Sequence, residues 1–212
     1  MTMIQNILLA FLKHYHEKYM KHRRKDVIYV HELCQCYMKA MLQKELTELH
    51  IVDIESINDK MIIGEAIHEG MLQILKHVEA SEPEEKCKEI KVNDETVTIC
   101  GTADAIIEDT VIEIKYVSRS DRIIEKQDDK ISVKPMEHHV RQARLYGWLY
   151  DTSNVMLLYV TPIKIVTVQL EPYSDSDVVK IVSDWLNLKP SPLWEWECNY
   201  CRLKRLCPCY RG

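Results

Sequence analysis

Three cysteines near one end of the chain constrain this sequence more than any other feature, because Cys198, Cys201 and Cys207 stand at metal-ligand spacing with no complete ligand set beside them. The missing thiolate can come from Cys34, at the start of a helix-like segment far upstream. A ligand set joining residue 34 to residue 207 closes a very long loop. The fold must then bring its early and late segments together, and the loop-closure entropy makes such a clip stabilising. Four thiolates suit a zinc ion or an iron-sulfur cluster, and the paired C-x2-C knuckles usual for zinc are absent, so spacing alone does not favour zinc. Cys36 and Cys209 read as neighbours of the site that do not bind, and Cys87 and Cys100, on expected strands, as free core residues.

The chain has 212 residues, 46% hydrophobic and 29% charged, which suits a single globular domain. Its longest apolar run, Ile7 to Leu12, falls far short of the roughly 18 residues of a membrane span and lacks the flanks of a signal peptide. A cytoplasmic protein with no membrane association is expected, and in that reducing setting eight cysteines point to metal or cluster binding rather than to disulfides. Only five glycines occur, and none opens a phosphate-cradling loop or a nucleophile elbow. The net charge of −5 is unevenly spread: residues 13 to 25 hold six Lys or Arg against one Glu, and residues 198 to 212 hold four with no acid.

Along the chain, residues 3 to 24 carry apolar side chains at helical spacing. A β-like run, Val27 to Val30, precedes helix-like segments at His31 to Leu46 and Ile63 to Glu79. The period then changes to two, and Lys88–Val92, Glu95–Cys100, Ala103–Glu108 and Val111–Val117 predict a meander of four strands, the first pair turning at Asn93-Asp94. Ser118 to Lys134 reads as a mobile loop, Pro135 as the start of a helix to Tyr150, Asn154–Thr161 and Lys164–Glu171 as a second strand pair, and Asp175–Leu188 as a last helix capped by Ser174 or Asp175.

The chemistry gathers on the second predicted hairpin. Alternate strand residues share a face, so Glu113 and Lys115 project together. A two-residue turn at Glu108-Asp109 sets Asp104 opposite Glu113, one at Asp109-Thr110 sets it opposite Lys115, and both keep the three side chains on one face. A three-residue turn would not. Apolar neighbours on both sides make the strand partly buried, and two buried carboxylates are costly unless a cation binds. The pair suits Mg²⁺ or Mn²⁺, with the ammonium orienting or deprotonating a water and offsetting phosphate charge. His68 lies beside the apolar stripe of its helix, as a core histidine or a further ligand, and Gln142 and Tyr146, four apart, share a helix face.

This order of residues, His68, Asp104, Glu113-Ile-Lys115 and Gln142-x3-Tyr146 bracketed by Cys34 and Cys198, Cys201 and Cys207, resembles the RecB-like nucleases of the PD-(D/E)XK superfamily. Within them it is most similar to the small iron-sulfur exonucleases encoded with CRISPR systems, the fourth CRISPR-associated core proteins. The resemblance spans nearly the whole chain; Ala103 stands where the superfamily often has proline. It implies an α/β (α+β mixed) fold, a central mixed sheet flanked by helices, in one nuclease domain with an iron-sulfur subdomain formed by about residues 26–50 and 189–212. It further implies a divalent Mg or Mn ion held by His68, Asp104, Glu113 and the Ile114 carbonyl, with Lys115 catalytic and Gln142 and Tyr146 assisting. Cys34, Cys198, Cys201 and Cys207 would hold a cluster, 4Fe-4S favoured. The implied activity is a metal-dependent exonuclease on single-stranded DNA, 5′ to 3′ in many members, trimming spacers for the CRISPR integrase. Two other classes fit the same residues, an inactive DNA-binding scaffold and a zinc-stabilised regulator.

Overall fold

The computed structural model describes residues 9–11, 13, 14, 24–48, 59–127, 130–188 and 192–209. Of the expected first helix, residues 9–11, 13 and 14 are helical, Arg24 at its expected end is not, and the rest lies outside the described residues, as does most of the first basic run. The described strands are β1 (Ile28–Tyr29), β2 (Lys86–Val92), β3 (Glu95–Gly101), β4 (Ala105–Ile107), β5 (Thr110–Tyr116), β6 (Ile124–Gln127), β7 (Lys130–Val133), β8 (Asn154–Val160) and β9 (Ile165–Leu170). The helices are α1 (Tyr37–Glu48), α2 (Asp59–Leu75), α3 (Glu137–Tyr150), α4 (Asp175–Leu186) and the short α5 (Glu197–Tyr200).

The four-strand meander is not what forms. β2 and β3 turn at Asn93 and Asp94, both at positive φ as a type I′ hairpin requires, but they belong to a mixed sheet ordered β1-β3-β2. β4 and β5 belong to a second mixed sheet, ordered β4-β5-β8-β9. Its centre is β5, in which Val111, Ile112, Glu113 and Ile114 are all buried, so it needs cover on both faces and a neighbour on both edges. The parallel partner β8 supplies the second edge. On one face Ile112 and Ile114 pack with Leu72 of α2 and Leu158 of β8. On the other, α3 fills the space between the two sheets: Leu145, Tyr146, Trp148 and Leu149 meet Ile90, Val92 and Ile99, while Ala143 meets Val155, Leu157 and Tyr159. A Cβ on Gly147 would stand 2.3 Å from Val155 Cγ2, so glycine is what lets α3 come this close to β8.

Three further expectations are corrected. The loop expected at Ser118–Lys134 contains a 3₁₀ turn at Ser120–Arg122 and the antiparallel hairpin β6-β7, anchored by buried Ile123 and Ile124. The helix expected from His31 is broken: Glu32–Cys34 is a 3₁₀ turn and Gln35 is extended before α1. Buried Glu32 causes the break, accepting from the Tyr29 amide at 3.0 Å and pairing with Lys44 at 3.0 Å. Cys87 and Cys100 form a disulfide rather than standing free, because the β2-β3 register sets them opposite each other with Cα atoms 4.1 Å apart. The last helix starts at Asp175 under a Ser174–Asp177 capping box.

Candidate active site

Ala105 pairs with Ile112 and Ile107 with Thr110, so the turn is Glu108-Asp109 and the register, extended by one, sets Asp104 opposite Glu113. β4 begins only at Ala105, which leaves the Ile114 amide beyond the end of its neighbour on that side. Asp104 takes it: Oδ2 accepts from Ile114 N at 2.7 Å, and Oδ1 lies 2.9 Å from Nε2 of His68 on α2. His68 is therefore not a core histidine. Glu113 and Lys115 project from the opposite face of β5 to Ile112 and Ile114 and form an ion pair through Glu113 Oε1.

Glu113 is only 1% exposed, and among the described residues its Oε2 has no hydrogen-bond partner. Burial, then the Asp104 charge, pushes its pKa up to about 7. Burial acts in the same sense on Asp104, but the hydrogen bond from His68 and the charge of Lys115 outweigh it and hold this carboxyl below its usual range. Burial would lower the Lys115 pKa, yet Glu113 and Asp104 raise it, so the side chain is an ammonium. From α3, Gln142 hydrogen-bonds Tyr146, whose phenol is kept protonated by burial and by the charges of Glu113 and Asp104. A Cβ on Gly101 would stand 2.9 Å from the Tyr146 ring, so β3 has no side chain where that ring sits. The structure thus brings His68, Asp104, Glu113, Lys115 and Tyr146, with Ile114 as amide donor, to one place.

A buried carboxylate oxygen with no partner, a second carboxylate and an imidazole are the donor set of a hard divalent cation, and the residues fit Mg²⁺ or Mn²⁺. His138 and His139, which carry no motif signal in the sequence, stand near Lys115 at the start of α3. His139 Nδ1 lies 3.1 Å from the Tyr159 hydroxyl, which also accepts from Met136 N. Burial lowers the His139 pKa to about 2 and that of His138 to about 4, with Lys115 adding to both. Both rings are neutral.

The cysteine expectation needs one change. Cys36, Cys198, Cys201 and Cys207 line one cavity with Lys39, Leu42, Pro192, Glu197 and Lys204; Cys34 does not. Gln35 turns the chain between the two, so Cys34 Sγ points inward, 3.4 Å from Val30 O, where burial raises its pKa to about 12. Cys36 is instead drawn to the tail by buried Glu197, whose Oε1 accepts from Cys36 N at 2.9 Å and whose Oε2 accepts from Trp194 N at 3.2 Å. Burial and then the neighbouring Cys36, Cys201 and Cys207 raise the Cys198 pKa. Glu197 carried no sequence signal beyond adjacency to Cys198.

The chain is 33% identical over 200 residues to the CRISPR-associated exonuclease Cas4 of Saccharolobus solfataricus, covering 91% of this chain and 93% of that protein. The crystal structure of SSO0001 matches with a TM-score of 0.80 at 30% identity, over 100% of this chain and 99% of that one. An alkaline exonuclease from Laribacter hongkongensis matches with a TM-score of 0.54 at 12% identity, over 92% and 97%, a likeness of fold. No family model matches the chain. No described helix is long and apolar enough to cross a membrane.

Proposed function

The chain belongs to the CRISPR-associated Cas4 exonuclease family, nucleases of the PD-(D/E)XK fold, and from that premise we propose a divalent-metal-dependent exonuclease acting on single-stranded DNA. The observation that supports it best is the fully buried, half-unpartnered carboxylate of Glu113 on the same strand face as the Lys115 ammonium. His68, Asp104, Glu113 and the Ile114 carbonyl would hold the Mg²⁺ or Mn²⁺, whose contribution when bound is Lewis acidity toward the scissile phosphate. Ile114 N anchors Oδ2 of the Asp104 carboxylate from the backbone, which fixes the orientation of that group whether His68 pairs with it or takes the ion. Lys115, kept cationic by its two acidic neighbours, offsets charge on the phosphate and orients the attacking water. Tyr146 keeps its proton and can donate to a phosphate oxygen, and Gln142 fixes its hydroxyl.

The four thiols that share a cavity, Cys36, Cys198, Cys201 and Cys207, would hold an iron-sulfur cluster, for which the family resemblance favours 4Fe-4S. Its role is to fasten the segment 192–209 to the start of α1, and the cluster unit comprises about residues 26–50 and 189–212. The CRISPR association of the relative supports a role in trimming DNA ends before an integrase joins them. The decisive assay offers single strands blocked at the 5′ or the 3′ end, with Mg²⁺, Mn²⁺ or chelator. Shortening from the 5′ end that chelator abolishes is expected. DNA binding with no cleavage in any metal would favour an inactive scaffold, and zinc without iron or sulfide in anaerobically prepared protein would overturn the cluster.

A further inference from the structure

α3 presents a second concave surface beside the acidic site. Pro135, Glu137, Val140, Arg141, Tyr173 and Trp194 line a groove of about 360 Å³, within the range of roughly 300–1,000 Å³ common for ligand sites. Two of its walls are aromatic, and each carries an arginine. The Arg141 guanidinium lies 5.1 Å from the Trp194 ring centroid, and that of Arg144 lies 4.0 Å from Tyr173. Arg141 donates to the Leu33 carbonyl and Arg144 to the Glu171 carbonyl, both neutral acceptors. Among the described residues neither arginine is ion-paired, in contrast to Arg24 with Asp26 and Arg119 with Asp121. The groove therefore combines aromatic rings with two guanidiniums held in fixed directions outside any direct ion pair, Arg144 having only the longer-range charge of Asp177 opposite it. Glu137, Arg141 and Arg144 recur at helical spacing on α3, and Gln142 follows Arg141 directly. A ligand in the groove is thus carried by the helix that delivers Gln142 and Tyr146.

We propose that this groove is a nucleobase-stacking subsite for single-stranded DNA, in which an unpaired base lies against Trp194 while Arg141 and Arg144 hold flanking phosphates. The inference rests on the nuclease reading of the acidic site and adds how a single strand is recognised. A duplex hides its base faces in its own stack, whereas a single strand offers them, and stacking on an aromatic ring tolerates any sequence because every base has a π-face. Charge complementarity selects the occupant: two guanidiniums outside any direct ion pair suit a polyanion, and Glu137 is the one acid in the lining.

The test compares binding of the intact protein, in chelator, to oligothymidylate and to an abasic strand of equal length. Wild type should prefer the strand with bases by about tenfold. Trp194→Ala should erase that preference, and Trp194→Phe, which keeps a ring, should retain part of it. Because the Trp194 indole also donates to Cys34 O at 2.9 Å, Tyr173→Ala and Glu137→Gln serve as variants independent of that contact. Tyr173→Ala should reduce base preference, and Glu137→Gln should tighten both strands about threefold. Arg141→Gln and Arg144→Gln should weaken both strands and each reduce the salt slope by about 0.7. Equal binding of the two strands by wild type, or a preference unchanged in both Trp194→Ala and Tyr173→Ala, overturns the subsite. Cleavage of the same oligonucleotide in Mn²⁺ reads the parent activity separately. Cleavage without base preference refutes the subsite alone, and base preference without cleavage refutes the nuclease reading alone.

Discussion

The acidic site and the cysteine cavity are assembled by different means. Asp104, Glu113 and Lys115 sit within twelve residues of chain on one hairpin, and a two-residue turn sets their register. The cysteine cavity joins Cys36 to Cys198, Cys201 and Cys207 across most of the chain, and Glu197 ties its two halves together by accepting from the Cys36 and Trp194 amides. A local site tolerates distant perturbation and fails when its own groups change. A long-range site fails when anything that positions its distant half is lost.

The largest effect that can break this contrast is loss of the chemistry itself. Asp104→Ala, Glu113→Ala and Lys115→Ala should each lower cleavage by about 10²- to 10³-fold or more, and the Asp104/Glu113 double variant should cost little more than either single change. Near-normal turnover in any of the three, with thermal unfolding unchanged, would remove that residue from the site.

Next in size is the cysteine exchange. Cys36→Ser should lose iron and lower the unfolding midpoint by more than about 5 °C, whereas Cys34→Ser should keep its iron. The reverse outcome, read by iron analysis and calorimetry, would return the ligand role to Cys34.

Positioning effects are smaller. Gly101→Ala should push the Tyr146 ring and cut turnover by about tenfold with modest loss of stability, since its Cβ would lie 2.9 Å from that ring. Gly147→Ala should do the opposite, costing about 1–3 kcal/mol by overpacking against Val155, or about 2–4 °C in midpoint for each kcal/mol, while iron content stays normal. Smallest is Ser174→Ala, which removes a capping box remote from both regions. It should cost about 1 kcal/mol and leave cleavage rate and iron untouched, so it calibrates what stability loss alone does.

The sequence by itself determined several elements whose signal is local. The Asn93-Asp94 hairpin, the strands on either side of Glu108-Asp109, the shared face of Glu113 and Lys115, and the α4 cap all follow from period-two alternation, turn chemistry and capping, which act over a few residues. Motif order was legible for the same reason, and the relative at 33% identity bears out the family it pointed to. Tertiary structure decided what depends on partners far along the chain. It split four consecutive strands between two sheets, because β5 is buried on both faces and takes β8 as its second edge. It paired Cys87 with Cys100 through register, and it chose between two cysteines two residues apart. Periodicity could not make that choice: Glu32 and Lys44 break the helix at Gln35, and Glu197, some 160 residues on, draws Cys36 rather than Cys34 to the tail.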